Sequence, residues 1–451
     1  MVDTIVAPST APGRAALAIV RSSGPLCEKI YGDVFAKAPP VRAICCRPYE
    51  TLSGEVADLV TVTFFRGPHS FTGEDVMEIC CHGNQLIVER IISDMLLRGC
   101  RMAGPGEFTR RAFVGGKMDL AQAEAVCELI VGESSASLRI AGRQLAGELG
   151  RLLGAVREEL LQIISEIEYA LDFSDWDSVE PQWPAIRRKL LELRRRMEGL
   201  AESYGLRMRA ENATAVAIVG SPNAGKSSIF NFLLGRERSI VSPMAGTTRD
   251  YVDGVVEIGN LPVRLIDTAG IGDGGTELDR IAIGRSADVI GEAEIILLVV
   301  DGADRTAVPF GDQLAAKTGA IVVNKRDLPN FCETVDAAIG VPPWPTISLS
   351  TKIYEDGLRL RQFLASFLGA NGPGANGDVL CVNLRQRELL NGAIAHIVGA
   401  EKLMDGMEGC PAGECVAVEL QGANRALGEI VGEDVSQAAL DRIFSTFCVG
   451  K

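Results

Sequence analysis

The chain has 451 residues, of which 47% are hydrophobic and 23% are charged, and its formal net charge is −14. This length exceeds one ordinary hydrophobic core and predicts about two to four domains of a folded globular protein. The negative charge disfavours indiscriminate binding to nucleic acid, because attraction to phosphate needs concentrated positive charge.

Neither a membrane-spanning segment nor a secretion signal is predicted. No run of about 18 apolar residues occurs, and the first residues lack a basic start followed by a long apolar stretch. The 12 cysteines are scattered and form no CxxC pair. These features predict a reduced, cytoplasmic protein that does not contact a membrane.

Residues 1–117 are predicted to form an α+β domain. Apolar or β-branched runs at 15–20, 59–65 and 76–81 are typical of strands, and the apolar spacing across 86–97 is typical of a helix.

Residues 118–212 have helical spacing instead. Apolar residues from Leu149 to Ile167 recur at three- and four-residue steps, which predicts a long amphipathic helix. Pro181 and Pro184 are expected to end it, before a second helix over 186–204. Arginines concentrate over 187–209, and this segment is either a solvated helix face or a local positive surface for RNA.

Residues 213–370 alternate short apolar runs with helical segments, which predicts a mostly parallel sheet covered by helices. The runs lie at 215–219, 263–266, 295–300, 320–323 and 346–347. A segment rich in glycine, asparagine and proline follows at 369–378, and helical spacing returns after it. The fold class is therefore α/β + α: an α/β domain (213–370) inserted into a helical domain (118–212 and 371–451).

The motif GSPNAGKSS spans Gly220–Ser228, after a predicted strand and before a predicted helix. This strand–GxxxxGK[ST]–helix arrangement is typical of a P-loop, whose backbone N–H groups and helix N-terminus bind phosphate. Lys226 is expected to reach the β- and γ-phosphates, and the Ser227 hydroxyl to bind Mg²⁺.

Three further short motifs follow predicted strands in the order of a GTPase. Asp267–Gly270 (DTAG) is placed to meet Mg²⁺ and the γ-phosphate. In Asn324–Asp327 (NKRD), the Asp327 carboxylate can accept two hydrogen bonds from guanine, which adenine does not offer. Ser350–Lys352 (STK) is similar to the last loop that contacts guanine. The set favours GTP over ATP.

The segment Gly246–Asp250 (GTTRD) lies where a switch loop is expected to order around the γ-phosphate. Many small GTPases have glutamine after the DxxG motif to orient the attacking water, whereas this chain has Ile271. The hydrolytic group must therefore come from another residue, and Glu277 and Asp279 are the candidates.

Four blocks before the P-loop and one after it carry a family resemblance: DTIVAPSTAPGR (3–14), FTGEDVMEI (71–79), PGEFTRRAF (105–113), KMDLAQAEA (117–125) and the final CVGK (448–451). With the nucleotide motifs, the chain closely resembles the MnmE (TrmE) family of tRNA-modification GTPases over essentially its whole length. Where the family usually has Gly-His-Gly after the second block, this chain has Cys81-His82-Gly83, preceded by Cys80.

The resemblance implies an N-terminal domain that binds folate and forms a homodimer, a helical domain, and an inserted G domain. It also implies an FAD-containing partner of the MnmG (GidA) type. Together the two proteins would install a carboxymethylaminomethyl-type group at C5 of the tRNA wobble uridine. The one-carbon unit would come from 5,10-methylene- or 5-formyl-tetrahydrofolate.

The resemblance also implies ion sites beside the nucleotide. Mg²⁺ would be bound by Ser227 and Thr248. K⁺ would be bound by Asn223, Ser242, Met244 and Thr247, and would neutralise transition-state charge where other GTPases use an arginine. The candidate GTP-binding residues are Asn223, Ala224, Gly225, Lys226, Ser227, Ser228, Ser242, Pro243, Met244, Ala245, Gly246, Thr247, Thr248, Asp267, Thr268, Ala269, Gly270, Asn324, Lys325, Asp327, Ser350, Thr351 and Lys352.

The folate residues implied by the resemblance are Arg21, Glu78, Lys117 and Lys451. A carboxylate suits the amino-pyrimidinone edge of a pterin, and basic residues suit its glutamate tail. Cys448 is either a thiol that acts on a one-carbon intermediate or an inert part of the terminus.

The catalytic glutamate of the family's second switch aligns with Asp279, which is one methylene shorter, and we expect Asp279 to orient water less efficiently. A different function stays open on the nucleotide motifs alone. A regulatory or ribosome-assembly GTPase without its own RNA chemistry would also have the motifs from 220 to 352, although not the folate blocks.

Overall fold

The computed structural model describes residues 3–35, 43–172, 181–221, 223–235, 252–267, 289–304, 314, 316–333, 343–369, 379–405, 413–433 and 435–451. It divides the chain into two compact units. Unit 1 comprises Met1–Val131, Ala141–Ala201 and Leu384–Lys451. Unit 2 comprises Gly132–Ile140 and Glu202–Asn383.

Unit 1 contains a six-stranded sheet in the order β3-β4-β5-β2-β1-β6. Neighbouring strands are antiparallel except for β1 and β6, which are parallel. The strands are β1 (Ile5–Pro8), β2 (Ala15–Ser23), β3 (Ile44–Glu50), β4 (Val56–Phe65), β5 (Val76–Gly83) and β6 (Arg101–Met102).

The described helices of both units are α1 (Cys27–Phe35), α2 (Gln85–Leu97), α3 (Glu107–Val114), α4 (Leu120–Val131), α5 (Ser135–Leu145), α6 (Glu148–Asp172), α7 (Trp183–Glu211), α8 (Lys226–Leu234), α9 (Tyr354–Phe367), α10 (Leu384–Asp405), α11 (Gly413–Val431) and α12 (Gln437–Ser445). Helix α7 begins at Trp183, so Pro184 lies in its first turn, where proline is tolerated. This corrects the prediction that the second helix begins near residue 186. None of these helices, within the residues described, is long and apolar enough to cross a membrane.

One face of the unit 1 sheet is buried against helices. Along β4, Val60, Val62 and Phe64 are buried, and the residues between them point to the other face, as the alternation of a strand requires. Ile30 of α1 and Ile91 of α2 belong to the same apolar core. On the opposite face, Ile44 of β3 and Leu59 of β4 are exposed, and this face is called the open face of the unit 1 sheet.

A buried polar network joins distant parts of unit 1. Glu124 of α4 accepts two hydrogen bonds from the Arg385 guanidinium, at 2.6 and 2.9 Å. Gln386 donates to the same carboxylate at 2.8 Å and accepts from Gln144 at 3.2 Å. A buried carboxylate is tolerated when it is paired and hydrogen-bonded in this way.

Unit 2 contains a second six-stranded sheet in the order β12-β11-β10-β7-β9-β8. The strands are parallel except for the edge strand β8. They are β7 (Thr214–Gly220), β8 (Val252–Ile258), β9 (Leu261–Asp267), β10 (Ile295–Asp301), β11 (Thr318–Asn324) and β12 (Thr346–Ser348). Helices α8 and α9 cover one face, where Ile229 and Leu360 join the apolar core.

The predicted fold class is confirmed: a mostly parallel α/β region lies between helical segments, and an α+β region precedes them. The predicted strands at 15–20, 59–65, 76–81, 215–219 and 295–300 all lie within observed strands. The three-domain boundaries stay a prediction.

Candidate nucleotide and folate sites

Two glycines shape the loop between β7 and α8. A Cβ added to Gly220 would lie 2.1 Å from the Val299 carbonyl oxygen, and one added to Gly225 would lie 2.2 Å from Asn324 Nδ2. Gly225 also has a φ of +98°, in the region that favours glycine. The backbone therefore approaches its neighbours more closely than any side chain would permit.

The loop leads directly into the N-terminus of α8, which begins at Lys226. The Lys226 ammonium donates to the Ser221 carbonyl oxygen at 3.0 Å, so the side chain lies back across the loop. Asn223, Ser227 and Ser228 are exposed. An exposed helix N-terminus with a lysine across it is suited to a phosphate group.

The carboxyl ends of four parallel strands meet at this loop. Ile218 is level with Asp267 in the neighbouring strand, Val299 with Gly220, and Asp301 with Asn324. The register thus brings the ends of β7, β9, β10 and β11 to one edge of the sheet. In open α/β sheets this edge is where ligands bind.

Asn324 connects the predicted base motif to the predicted phosphate loop. Its side chain is buried, and its Nδ2 donates to the Ala224 carbonyl oxygen at 3.0 Å. Its Oδ1 has no hydrogen-bond partner among the described residues. A buried acceptor of this kind fits a ligand that supplies a donor.

Asp327 is held by the predicted third motif. Its two carboxylate oxygens accept from Lys352 Nζ and from Ser350 Oγ, each at 2.8 Å. The hydrogen bonds from Lys352 and then Ser350 hold the pKa of the Asp327 carboxyl below its ordinary value. The group is therefore an ionised acceptor at neutral pH, as recognition of guanine requires.

Two aspartates at this edge were missed by the sequence reasoning. Asp301 ends β10 and accepts from Lys325 Nζ at 2.6 Å, and Asp356 accepts from the Ser350 backbone at 2.8 Å. Asp301 directly follows the predicted strand 295–300, which was a usable signal. Asp356 lies in the first turn of α9, and no motif included it.

The oxygen ligands that Mg²⁺ prefers are present in part. Ser227 offers an exposed hydroxyl at the helix N-terminus, and Asp267 offers a carboxylate at the end of β9. These donors fit the ion implied by the sequence. The other ion-binding, switch and hydrolytic candidates lie outside the described residues: Ser242, Pro243, Met244, Ala245, Gly246, Thr247, Thr248, Thr268, Ala269, Gly270, Glu277 and Asp279.

Arg21 and Glu78 are direct neighbours on β2 and β5 of unit 1. Arg21 Nε donates to Glu78 Oε1 at 2.9 Å, and the guanidinium carbon lies 5.6 Å from the Phe71 ring centroid and 5.8 Å from that of Phe108. Both charged groups keep donor or acceptor capacity beyond this pair. Flanking rings and paired charges fit a flat, polar heterocycle.

The final residues of the chain lie against the start of α3. The Phe108 N–H donates to the Lys451 carbonyl oxygen at 3.1 Å, and Val449 pairs with Pro105 in an antiparallel bridge. The structure therefore brings the backbone of Lys451 to the residue whose ring lies beside Arg21. Cys448 is exposed.

Lys117, the remaining folate candidate, is fixed differently. Its ammonium donates to the Pro68 carbonyl oxygen at 2.7 Å, and its stem would contact a Cβ added at Gly73. The side chain thus lies along the loop that precedes β5, in the same block as Phe71.

Part of the positive charge of the arginine-rich segment 187–209 is neutralised by ion pairs with glutamates. Arg194 pairs with Glu401 at 2.6 Å and Arg196 with Glu159 at 2.8 Å. Pairing of this kind is typical of a solvated helix face, and it weakens the case for a bare positive surface at these two positions.

Comparison with known proteins gives matches along the whole chain. A family model described as the GTP-binding protein TrmE N-terminus matches residues 4–117, and one described as the MnmE helical domain matches residues 120–448. The chain is 36% identical over 464 residues to a protein of Opitutus terrae named tRNA modification GTPase MnmE, covering 100% of this chain and 99% of the relative. Proteins of the same name from Koribacter versatilis and Moorella thermoacetica are each 37% identical, with the same coverage.

Proposed function

The chain belongs to the MnmE family of tRNA modification GTPases, and on this premise we propose which of its residues carry out each part of the function. It is a GTP-hydrolysing enzyme that acts in tRNA modification, with GTP as substrate and Mg²⁺ as cofactor. The observation that carries the residue assignment is the meeting of four strand ends at a loop whose glycines tolerate no side chain.

In unit 2, the triphosphate binds at the N-terminus of α8, with Lys226 leaving the Ser221 carbonyl to reach the β- and γ-phosphates. Ser227, Thr248 and Asp267 supply oxygen groups for Mg²⁺, which neutralises phosphate charge when bound. Asp327 selects guanine, and Thr351 and its neighbours close over the base. The ionised state of Asp327 and its two fixed hydrogen bonds support this role.

Hydrolysis in this proposal depends on Asp279, which orients the attacking water, and on K⁺ bound by Asn223, Ser242, Met244 and Thr247. GTP and K⁺ together bring the G domains of a homodimer into contact. GTP turnover in KCl compared with NaCl at equal ionic strength tests the ion, with faster turnover expected in KCl. Asp279→Ala should slow single-turnover hydrolysis, and an unchanged rate would exclude this role.

In unit 1, Arg21, Glu78, Lys117 and Lys451 bind a 5,10-methylene- or 5-formyl-tetrahydrofolate. The chain then acts with an FAD protein of the MnmG (GidA) type on the C5 position of the tRNA wobble uridine, in the cytoplasm. The pair Arg21–Glu78 between two aromatic rings supports a heterocycle at this position. Cys448, exposed and three residues before Lys451, is available to a one-carbon intermediate.

Homodimer formation is proposed through the open face of the unit 1 sheet. Ile44, Leu59 and Leu17 are 76%, 58% and 61% exposed. The strand registers place all three on the face that also bears Arg21 and Glu78. Exposed apolar residues gathered on one sheet face are typical of an interface.

A calorimetric titration of 5-formyl-tetrahydrofolate into the full chain tests the folate assignment. Glu78→Gln and Arg21→Met should each weaken binding by about tenfold, because each removes a charged hydrogen bond. Arg90→Met, in an exposed pair elsewhere on unit 1, is the matched control. Equal binding by all four proteins would contradict the assignment.

A further inference from the structure

Asp356 is a buried carboxylate next to the predicted base site. Its side chain is 1% exposed and lies in the first turn of α9. Oδ2 accepts from the Ser350 backbone N–H at 2.8 Å, while Oδ1 accepts from Arg326 at 2.9 Å and from Arg359 at 3.1 Å. A charge is rarely buried this deeply unless its partners are fixed in return.

Two of these three partners belong to the loops that hold the base-selecting residue. Arg326 lies directly before Asp327, and its backbone N–H donates to the Leu349 carbonyl oxygen at 3.1 Å. Ser350 uses its hydroxyl to donate to Asp327 and its backbone N–H to donate to Asp356. Asp356 is therefore hydrogen-bonded to both loops at once, although it lies outside every nucleotide motif.

We propose that Asp356 is a positioning residue for guanine selectivity, which joins the loops of Arg326 and Ser350 so that the Asp327 carboxylate faces the base. The proposal rests on the proposed role of Asp327. The Arg359 side chain is half exposed and, within the described part of the chain, hydrogen-bonds to this carboxylate and to neither loop, so its removal should leave the positioning intact. Arg326 therefore helps to position the loops, whereas Arg359 only compensates the charge of the Asp356 carboxylate.

Selectivity between guanine and hypoxanthine reports the placement of Asp327. Guanine offers this carboxylate its N1–H and its exocyclic amine, whereas hypoxanthine keeps N1–H and lacks the amine. If Asp327 moves out of line, the second hydrogen bond is lost first, and the preference for GDP over IDP falls. A general loss of stability would lower both affinities together.

The experiment measures Kd for GDP and for IDP by calorimetry on the full chain. Asp356→Asn should weaken GDP binding by about tenfold and IDP binding by about twofold, so the preference falls about fivefold. Arg326→Met should lower the preference in the same direction, and Arg359→Met should leave it unchanged. Asp327→Asn is the reference and should remove most of the preference.

The outcomes distinguish failure of the Asp327 base contact from failure of the Asp356 positioning role. If Asp327→Asn leaves the GDP preference intact, the base contact itself is wrong. If Asp327→Asn removes it but Asp356→Asn and Arg326→Met keep it, the positioning role of Asp356 is overturned, whatever their effect on melting temperature. Should Asp356→Asn not fold, Arg326→Met decides, because Arg326 is partly exposed and its removal leaves no cavity.

Discussion

The carboxyl edge of the unit 2 sheet and the open face of the unit 1 sheet hold their candidate residues by different means. In unit 2, polar groups lie at or just after the last residues of neighbouring parallel strands, and two glycines let the backbone approach its neighbours too closely for a side chain to fit. In unit 1, Arg21 and Glu78 project from the middle of neighbouring antiparallel strands and hold each other by charge.

This difference predicts how each region fails. A loop defined by backbone fit is broken by one added methyl group, and the fit itself does not change with pH. A region defined by charge pairs tolerates changes of shape better, and it loses stability when a charge is removed or titrated.

Gly225→Ala should abolish most nucleotide binding in unit 2. The new Cβ would meet Asn324 at 2.2 Å with a φ of +98°. Displacement of the loop should raise the Kd for GTP about a thousandfold, from strain together with lost phosphate contacts. Gly291→Ala is the control, because a Cβ there meets nothing within 4 Å. Binding within twofold of the parent protein would show that the loop is not defined by backbone fit.

Arg385→Met extends the contrast to the interior of unit 1. It leaves the buried Glu124 carboxylate without its cation, which should lower the free energy of unfolding by about 3 kcal/mol. The measurement is urea denaturation followed by circular dichroism. Arg90→Met removes an exposed partner 3.8 Å from Glu55 and should cost less than about 0.5 kcal/mol. Similar losses for both variants would mean that burial does not set the strength of these pairs.

Acid should weaken unit 1 through the ion pairs that connect Asp3, just before β1, with Arg101 of β6 and with α3. Arg101 and Arg111 hydrogen-bond to Asp3 and Glu107 and lower the pKa of each carboxyl, to about 2. Because both folded pKa values lie below the ordinary values of 3.8 and 4.5, the stabilisation is present above about pH 4.5. It is lost as the pH falls toward 2.

Glu107→Gln should therefore reduce stability by about 1 kcal/mol at pH 7, a value discounted for solvent screening, and the gap to the parent protein should close as the pH falls to about 2. Urea midpoints at several pH values check this. A gap that stays constant with pH would assign the effect to packing rather than to charge. GTP binding by unit 2 should be unaffected over the neutral range.

The same contrast explains which site residues could be predicted from the sequence and which could not. The P-loop, Asp267, Asn324 and Asp327 were predictable because each lies at or just after the end of a buried strand, and parallel strands end at a common edge. The pairing of Arg21 with Glu78, 57 residues apart, depends on antiparallel register, which spacing alone does not specify. Arg21 and Glu78 were predicted as folate-binding residues from the family resemblance alone.

Other parts of the fold had no local signal. Strand β3 lies at the sheet edge, is largely exposed and contains Pro48, so its sequence lacks the alternation of a half-buried strand. Asp356 is buried and accepts a hydrogen bond from Arg326, 30 residues earlier in the chain, a tertiary contact that no short motif encodes.

Unit 1 is formed by stretches that lie far apart in the sequence, and this has a consequence during translation. Glu124 and Arg385 are separated by 261 residues, and a ribosome adding about 5 to 20 residues per second needs roughly 10 to 50 seconds to reach the second from the first. The sheet formed by residues 5–102 can assemble early in this interval. The apolar stripe of α6 must wait for α11, its packing partner, so the nascent chain exposes that stripe while unit 2 is being made. We expect chaperones to bind the nascent chain at this stage, because the apolar stripe of α6 is still exposed.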